Sequence, residues 1–196
     1  MTSKVEKAVT WAVNIANDDT HGYDQTNRWG KDYDCSALVI SAFEQAGIKV
    51  KTNGATYTGN MYYNFKRTGF KDVTAQCTLS NGTGLQRGDV LLTPNKHTAI
   101  YLGNGKIVHA SINEKGKTTG GKTGDQTGKE ICVASYYNKP WTYVLRYTEK
   151  TKTLKQVAME VIRGNYGNGT ARKKKLEDEG WDYEEVRAMV NSILQG

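Results

Sequence analysis

The sequence predicts an α+β protein, because the spacing of its apolar residues changes twice along the chain. Up to about residue 67 the apolar residues recur every three or four positions, which is the period of a helix. From Asp72 to Tyr147 they fall in short β-branched and aromatic runs, which indicate strands. Helical spacing returns after residue 153. Helices followed by an antiparallel sheet define the α+β class, and the last segment predicts a small added helical bundle.

Three helices are predicted before the sheet, over residues 4–16, 35–46 and 58–67. The middle helix begins at Cys35, has six apolar residues on one face and is followed by Gly47 as a stop. It is therefore expected to face the core. Between the first two helices, residues 17–33 are polar and aromatic without a period, and we interpret them as an ordered loop.

Five strands are predicted, and a long polar segment lies before the fourth. That segment, 113–129, is rich in Gly, Lys and Thr, and it is interpreted as a mobile surface loop that either is simply solvated or lines a cleft. The strand runs are 89–93, 97–102, 106–111, 130–135 and 142–147.

The C-terminal segment predicts three short helices, which is too little for a strong core and favours a binding module over a catalyst. The helices begin at Leu154, near residue 169 and after Asp182, the last with an acidic N-terminal cap. The predicted organisation is a catalytic domain at 1–147, a linker at 148–153 and a three-helix bundle at 154–196.

Composition limits the classes of partner. The chain of 196 residues carries a net charge of +7, and six of these charges lie in residues 1–150, so a polyanionic partner is favoured. Cys35, Cys77 and Cys132 form no CxxC pair, which excludes a zinc ribbon or a disulfide framework. No apolar run reaches the ~18 residues of a membrane span, and no secretory signal is recognised. We expect synthesis in the cytoplasm.

Cys35 and two histidines are the candidate catalytic residues. At a helix N-terminus the sulfur meets unpaired N–H groups and the positive end of the helix dipole, which favours a thiolate. His97 could act as its base, with His109 orienting His97 through the second ring nitrogen. The backbone N–H of Cys35 could then stabilise an oxyanion. This is acyl transfer by a papain-like arrangement.

The hairpin loop between the histidine strands decides whether His97 and His109 can meet. If all of residues 103–105 form the loop, Ala99 pairs with His109 and the histidines are diagonal neighbours on one face. A two-residue loop of Asn104-Gly105 would shift the pairing by one residue and place them on opposite faces. The proposed chemistry needs the first register.

Each of these residues also has a structural explanation. Cys35 could be a small buried apolar residue, the histidines could only bridge strands, and Asp34 could serve only as a helix cap. Cys77 and Cys132 are interpreted as structural. The catalytic hypothesis depends on the joint order of a cysteine helix followed by two strand histidines.

Several motifs resemble the NlpC-type cysteine hydrolases of bacterial cell walls, and more narrowly their phage endolysin branch. The resemblance covers about residues 5–147 and implies that Cys35 is the nucleophile, His97 the base and His109 the orienting residue. Tyr23 would help to hold the oxyanion, with Asp34 and Ser36 beside the nucleophile. The motifs are Tyr23, Asn27-Arg28-Trp29-Gly30, Asp32-Tyr33-Asp34-Cys35-Ser36, Gly88-Asp89-Val90, His97-x-x-Ile100-Tyr101-Leu102-Gly103 and Ile107-Val108-His109-Ala110.

The C-terminal segment resembles the three-helix wall-binding repeat of some streptococcal phage lysins, through Val161 to Gly169 and Asp182-Tyr183. The chain departs from that repeat at Tyr166, Glu179 and Trp181, and its aromatic residues could instead fill the bundle core. The resemblance implies four contacts to the glycan and stem peptide of peptidoglycan, Arg163, Tyr166, Asn168 and Tyr183.

These observations predict an endolysin that hydrolyses peptidoglycan without metal or cofactor and acts on the wall after release from the host cytoplasm. The family resemblance slightly favours the bond that joins N-acetylmuramic acid to L-alanine, and the alternative is an endopeptidase cut after D-glutamine or D-glutamate in the stem; no residue of the sequence distinguishes the two. A non-catalytic wall-binding protein and a basic nucleic-acid binder are the other classes. Nucleic acid is disfavoured because no reader motif is present, and no membrane partner is expected.

Overall fold

The computed structural model describes residues 3–138, 141–149 and 152–195. Within them the α+β prediction is confirmed, with six α-helices and one six-stranded antiparallel sheet. The predicted linker at 148–153 lies partly outside the described residues. The helices are α1 (Lys4–Ala16), α2 (Cys35–Gln45), α3 (Thr58–Arg67), α4 (Leu154–Ile162), α5 (Gly169–Asp178) and α6 (Tyr183–Gln195). The strands are β1 (Phe70–Asp72), β2 (Val90–Thr93), β3 (His97–Gly103), β4 (Lys106–Ala110), β5 (Ile131–Ser135) and β6 (Tyr143–Tyr147), in sheet order β1-β6-β2-β3-β4-β5.

Helix α2 is the central helix of the fold. Its N-cap is Asp34, whose carboxylate accepts the backbone N–H of Ala37 at 2.7 Å. The helix ends before Gly47, whose φ of +82° favours glycine. Leu38 and Phe43 are fully buried, and burial of such side chains contributes about 1.5–3 kcal/mol each. The helix is therefore fixed both at its cap and along its length.

The sheet has an apolar cluster on each face, and successive residues of its central strands point alternately into the two clusters. Val90, Ile100 and Val108 pack with α1 and α2 in the larger cluster. Leu91 and Ile107 point the other way, into a second cluster with Trp141. Both faces of the central strands are thus buried, which explains their near-continuous apolar runs.

The β3–β4 hairpin reaches the required register by an unexpected route. Its turn has two residues, Asn104 and Gly105, both in the left-handed conformation at φ 50° and 66°. A bulge between Tyr101 and Gly103 then shifts the pairing by one residue, so that Ile100 opposes Val108. The expectation that the histidines meet only across a three-residue loop is therefore wrong, because the bulge supplies the extra residue.

Strand β1 was not predicted from the sequence. It has three residues, pairs with β6 and is too short to show alternation. The 113–129 segment also differs from the expected loop, because it packs on the 17–33 segment. Asp125 donates its N–H to the carbonyl of Asp19 at 2.8 Å, and Gln25 donates to that of Thr118 at 3.0 Å.

Two buried carboxylates fasten these segments together. Asp32 accepts the N–H groups of Gly22 at 2.8 Å and Gly124 at 2.9 Å. Glu130, 0% exposed, accepts the N–H of Tyr23 at 2.9 Å and that of Gln126 at 3.1 Å. Because hydrogen bonds from N–H groups to a carboxylate are stronger than neutral ones, they fix the backbone that carries Tyr23.

The three C-terminal helices form the predicted bundle around Val157, Leu176 and Val186. The bundle touches the end of α3, where Arg67 pairs with Asp182 at 3.0 Å. None of the described helices is both long and apolar enough to cross a membrane.

Replacing Glu130 with Gln is expected to lower the free energy of unfolding by about 2 kcal/mol, because one buried N–H would then face an NH₂ group in place of a carboxylate oxygen. Urea denaturation measures the effect, and the exposed Glu149→Gln is the matched control. Equal stability of the two variants would contradict the role given to the buried carboxylate.

Candidate active site

Cys35 occupies the first position of α2, where the helix meets the start of β3. Its side chain is buried, with 7% of the residue exposed. The backbone N–H groups of Thr98, Ser36 and Cys35 itself point at the sulfur and lower its pKa. Thr98 is the neighbour of His97, so the sulfur and the candidate base lie at one end of β3.

The resting charge of Cys35 differs from the sequence expectation. Burial, followed by the negative charge of Asp34, raises the pKa of the Cys35 thiol to about 12 and outweighs the surrounding N–H groups. The expectation of a stable thiolate at this helix N-terminus is therefore not borne out. At neutral pH the structure favours a thiol that must lose its proton during the reaction.

Asp34 links the helix cap to a partly buried ion pair. Its carboxylate accepts Arg28 at 2.5 Å and the Ser36 hydroxyl at 2.8 Å. Arg28 also donates to Ser36 at 3.2 Å and to the carbonyl of Thr56 at 2.8 Å. The hydrogen bonds of Asp34 and Ser36 thus hold the loop-to-helix corner at the nucleophile.

His97 and His109 lie in contact, as the predicted register requires. The Nε2 of His97 is 3.0 Å from the Nδ1 of His109. Beyond them, the Nε2 of His109 is 3.8 Å from the sulfur of Cys132, which faces it across β4 and β5. His97, His109 and Cys132 thus form a continuous line of side chains across β3, β4 and β5.

Two aromatic residues at this site were not identified from the sequence. Trp141 stacks on the His97 ring with centroids 5.8 Å apart, and Tyr137 stacks on Trp141 at 5.6 Å. The indole also donates to the carbonyl of Tyr137 at 3.0 Å. Both residues lie between β5 and β6 in a segment without periodicity, so alternation could not have indicated them.

Tyr23 lies beside Cys35, where the resemblance placed it. Burial, together with the nearby Cys35, raises the pKa of Tyr23 to about 12, so its hydroxyl stays neutral. The hydroxyl oxygen accepts Gln25 at 3.1 Å, which leaves its own hydrogen to donate elsewhere. A neutral O–H donor beside the nucleophile is suited to an oxyanion.

A cleft of about 360 Å³ opens over the histidines and is lined by Thr93, Lys96, His97, His109, Ser111, Tyr137 and Trp141. Its walls combine aromatic rings with a few polar groups, which is typical of small-ligand sites. Within residues 3–138, 141–149 and 152–195, no three His, Cys, Asp or Glu side chains form a group that could hold a metal ion.

The four predicted wall-binding residues do not share one surface. Tyr166 is only 4% exposed and donates its hydroxyl to Glu179 at 2.6 Å within the bundle core. Arg163 and Asn168 are exposed beside the α4–α5 turn, where Asn168 accepts Arg172 at 2.7 Å. Tyr183 is the first residue of α6.

Tyr183 lines a larger cleft, of about 500 Å³, between the bundle and α3. Tyr63 forms part of the opposite wall and is 73% exposed. The remaining lining residues are Lys66, Arg67, Glu177, Asp178, Gly180, Trp181 and Asp182. Sequence reasoning assigned no role to Tyr63, because a single exposed tyrosine on a helix carries no pattern.

Comparison with known sequences assigns the family. The sequence model of the endolysin-like domain family matches residues 2–106 and 107–188, which is more than half of the 196 residues. The chain therefore belongs to the endolysin-like domain family. The match continues through β6 and the start of the bundle into α6. No curated protein matches the chain.

Several solved structures are similar to the chain. A hypothetical invasion protein of Mycobacterium tuberculosis is 23% identical with a TM-score of 0.47, over 74% of this chain and 64% of that one. The peptidoglycan hydrolase RipB of the same organism is 21% identical at TM-score 0.45, over 74% and 67%. NlpC1 from Trichomonas vaginalis is 16% identical at TM-score 0.44, over 76% and 46%. The chain thus spans less than two thirds of the invasion protein and under half of NlpC1.

Alkylation of Cys35 by iodoacetamide is expected to accelerate with pH through the alkaline range, because its pKa lies near 12. In Asp34→Asn the rise should move to lower pH, since the charge that opposes the thiolate is gone while Arg28 remains. Peptide-resolved mass spectrometry across a pH series measures both curves. The pH dependence reports ionisation, whereas the absolute rate also reports access.

The exposed Asp18→Asn is the control for that series and should leave the curve unchanged. A labelling rate in wild type that is already constant at neutral pH would contradict the raised pKa.

Proposed function

We propose that the protein is a peptidoglycan hydrolase that cuts an amide bond of the bacterial cell wall through a thioester at Cys35. The observation that carries the proposal is the contact between His97 and His109. His97 begins β3, and the backbone N–H of the next residue, Thr98, points at the sulfur of Cys35. Membership of the endolysin-like domain family supports the wall as substrate, because endolysins are enzymes that degrade it. The net charge of +7 suits an anionic wall.

In this mechanism His97 removes the proton from the Cys35 sulfur as the sulfur attacks the carbonyl carbon of the amide. The tetrahedral oxyanion is stabilised by the N–H of Cys35 and the hydroxyl of Tyr23. Protonated His97 then gives its proton to the leaving amine, the C–N bond breaks and a thioester remains. His97 then deprotonates a water, whose oxygen attacks the thioester carbon. The C–S bond breaks, the sulfur takes the proton back from His97, and the carboxylic acid product releases its own proton to solvent.

His109 acts on His97 and not on the substrate. A hydrogen bond from His97 Nε2–H to His109 Nδ1 leaves the other nitrogen of His97 unprotonated toward the sulfur, as a general base requires. Stacking on Trp141 places an aromatic ring against the imidazolium that forms, which is favourable for a cation. Both contacts stabilise the charge that the first proton transfer creates.

The favoured bond joins N-acetylmuramic acid to L-alanine, in keeping with the amidase branch that the catalytic motifs resemble. The alternative is an endopeptidase that cuts after D-glutamine or D-glutamate in the stem peptide. A wall-binding protein without turnover is the second candidate function, and the raised pKa of Cys35 is the observation in its favour.

Wild-type protein is expected to release new amino termini from purified Gram-positive peptidoglycan, whereas Cys35→Ala and His97→Ala release fewer by at least about a hundredfold. Cys77→Ala, a thiol away from the histidines, is the matched control and keeps activity. Terminal labelling and mass spectrometry distinguish L-alanine termini, for the amidase, from L-lysine or diaminopimelate termini, for the endopeptidase. Equal release by Cys35→Ala would end the cysteine mechanism, and wall binding without release by wild type would favour the second candidate.

For the C-terminal bundle we propose a wall contact in the cleft between α3 and α6. Tyr63 and Tyr183 offer aromatic faces on which a sugar ring can stack, and the surrounding carboxylates and cations can hydrogen-bond its hydroxyl and acetamido groups. Tyr183 keeps its predicted role here. Tyr166 does not contribute its ring, because that ring lies in the bundle core.

Replacing Tyr63 and Tyr183 together by Ala, in the Cys35→Ala protein, should weaken cosedimentation with peptidoglycan by about tenfold, equivalent to about 1.4 kcal/mol. The inactive background keeps the wall intact during the assay. Leu194→Ala changes a residue of α6 that is 66% exposed and does not line the cleft, so it should bind like the parent. Unchanged binding of the double variant would exclude this cleft.

A further inference from the structure

The cleft over the two histidines has one sign of charge. Among the residues that line it in the described part of the chain, Lys96 carries the one permanent charge, and none is a carboxylate. His97 and His109 add positive charge when they are protonated. A cleft whose fixed charge is positive attracts the anionic groups of a ligand.

A stem peptide carries such an anionic group close to both candidate bonds. D-Glutamate in the stem is joined to the next residue through its γ-carboxyl group, so its α-carboxyl group stays outside the main chain. That group is a carboxylate in the D-glutamate form and an amide in the D-glutamine form. We propose that Lys96 binds this α-carboxylate and makes the enzyme selective for stems that contain D-glutamate. The inference rests on the proposed function and specifies the substrate of the same site.

The turn between β2 and β3 fixes the backbone from which the Lys96 side chain starts. The N–H of Lys96 closes the turn by donating to the carbonyl of Thr93 at 3.0 Å. A proline followed by a left-handed asparagine, here Asn95 at φ 59°, is the sequence that a type II turn favours. The side-chain oxygen of Asn95 lies beside Gly59, the second residue of α3, where a Cβ atom would collide with it. The turn is therefore packed against α3.

Lys96 is close enough to the reacting bond to reach this carboxylate. It precedes His97, the candidate base, and adjacent Cα atoms are about 3.8 Å apart. In the endopeptidase cut, the carbonyl that Cys35 attacks belongs to the same D-glutamate. In the amidase cut, the D-glutamate follows the bond by two residues, which is at most ~8 Å. The carboxylate at the free end of the stem lies further along in both cases, so the inference holds for either bond.

An ammonium group discriminates the two forms of the stem by charge. A hydrogen bond from Lys96 to a carboxylate is charge-assisted and about twice as strong as one between neutral groups. The amide form offers a single neutral oxygen and an NH₂ group that cannot accept. The aromatic walls formed by Tyr137 and Trp141 reduce screening by water, and the hydroxyl of Ser111 is a second donor in the same cleft.

The test compares the hydrolysis of synthetic muramyl peptides that contain both candidate bonds and differ only at the α-carboxyl group. Wild-type protein should cut the D-glutamate peptide with a kcat/KM about tenfold above that for the D-glutamine form. Lys96→Met keeps an unbranched side chain without the charge and should reduce this preference to less than about twofold, whereas Lys96→Arg should keep it. Lys96 is exposed, so neither variant disturbs the core. Lys106→Met, at the other end of the β3–β4 hairpin, is the matched control and should keep the full preference.

A third peptide identifies the carboxylate. It has D-glutamate and an amidated C-terminus, and wild type should cut it as fast as the first peptide. A preference that follows the C-terminal carboxylate would overturn the assignment to D-glutamate.

A binding measurement does not depend on turnover. Calorimetric titration of Cys35→Ala should give a Kd for the D-glutamate peptide about tenfold below that for the D-glutamine form, and adding Lys96→Met should remove the difference. Equal binding of the two peptides, or a preference that persists in Lys96→Met, would overturn the proposal. If wild type cuts none of the peptides, the proposed function fails, and the calorimetric comparison still decides the role of Lys96.

Discussion

The carboxylate of Asp34 is the group on which the site most depends, because it serves folding and chemistry at once. It caps α2, pairs with Arg28 and holds the Ser36 hydroxyl, so it determines where the helix begins. The same negative charge lies next to Cys35 and helps to keep its sulfur protonated. A helix N-terminus lowers a thiol pKa only when nothing opposes it, and here burial first and the charge of the cap second raise the pKa of Cys35 by more than the helix lowers it.

The second constraint is the register of the β3–β4 hairpin. Side chains alternate with a period of two, so one residue of slip would separate His97 from His109 completely. The chain uses the favoured two-residue turn at Asn104-Gly105 and corrects the count with a bulge. The contact between the histidines is thus specified by two local features that compensate each other.

The sequence was sufficient to predict the helices and strands whose apolar residues keep one regular spacing along the whole element. Helices α1, α2 and α3, five of the six strands and the three bundle helices lie where periodicity predicted them, since each buries a continuous stripe. Cys35, His97, His109 and Tyr23 were named in advance, and the structure brings them to one end of the sheet. Their catalytic roles stay predictions.

Features that depend on single tertiary contacts could not be predicted. Trp141 and Cys132 reach the site from segments whose local pattern says nothing about their neighbours. Predicting the direction in which the pKa of Cys35 shifts requires the degree of burial of its side chain, which a helical spacing does not give. Tyr166 was named as a wall contact with the bundle core as the alternative, and its ring lies in the core, because a small bundle needs every large side chain it has.

The stacking of Trp141 on His97 has a practical consequence. A protonated imidazole quenches the fluorescence of an indole in contact with it, whereas the neutral ring does so much less. The interplanar angle of 23° and the centroid distance of 5.8 Å keep the two rings in such contact. The protein therefore carries a native optical sensor for the charge of its candidate base, read as the contribution of Trp141 to the emission of the chain's four tryptophans.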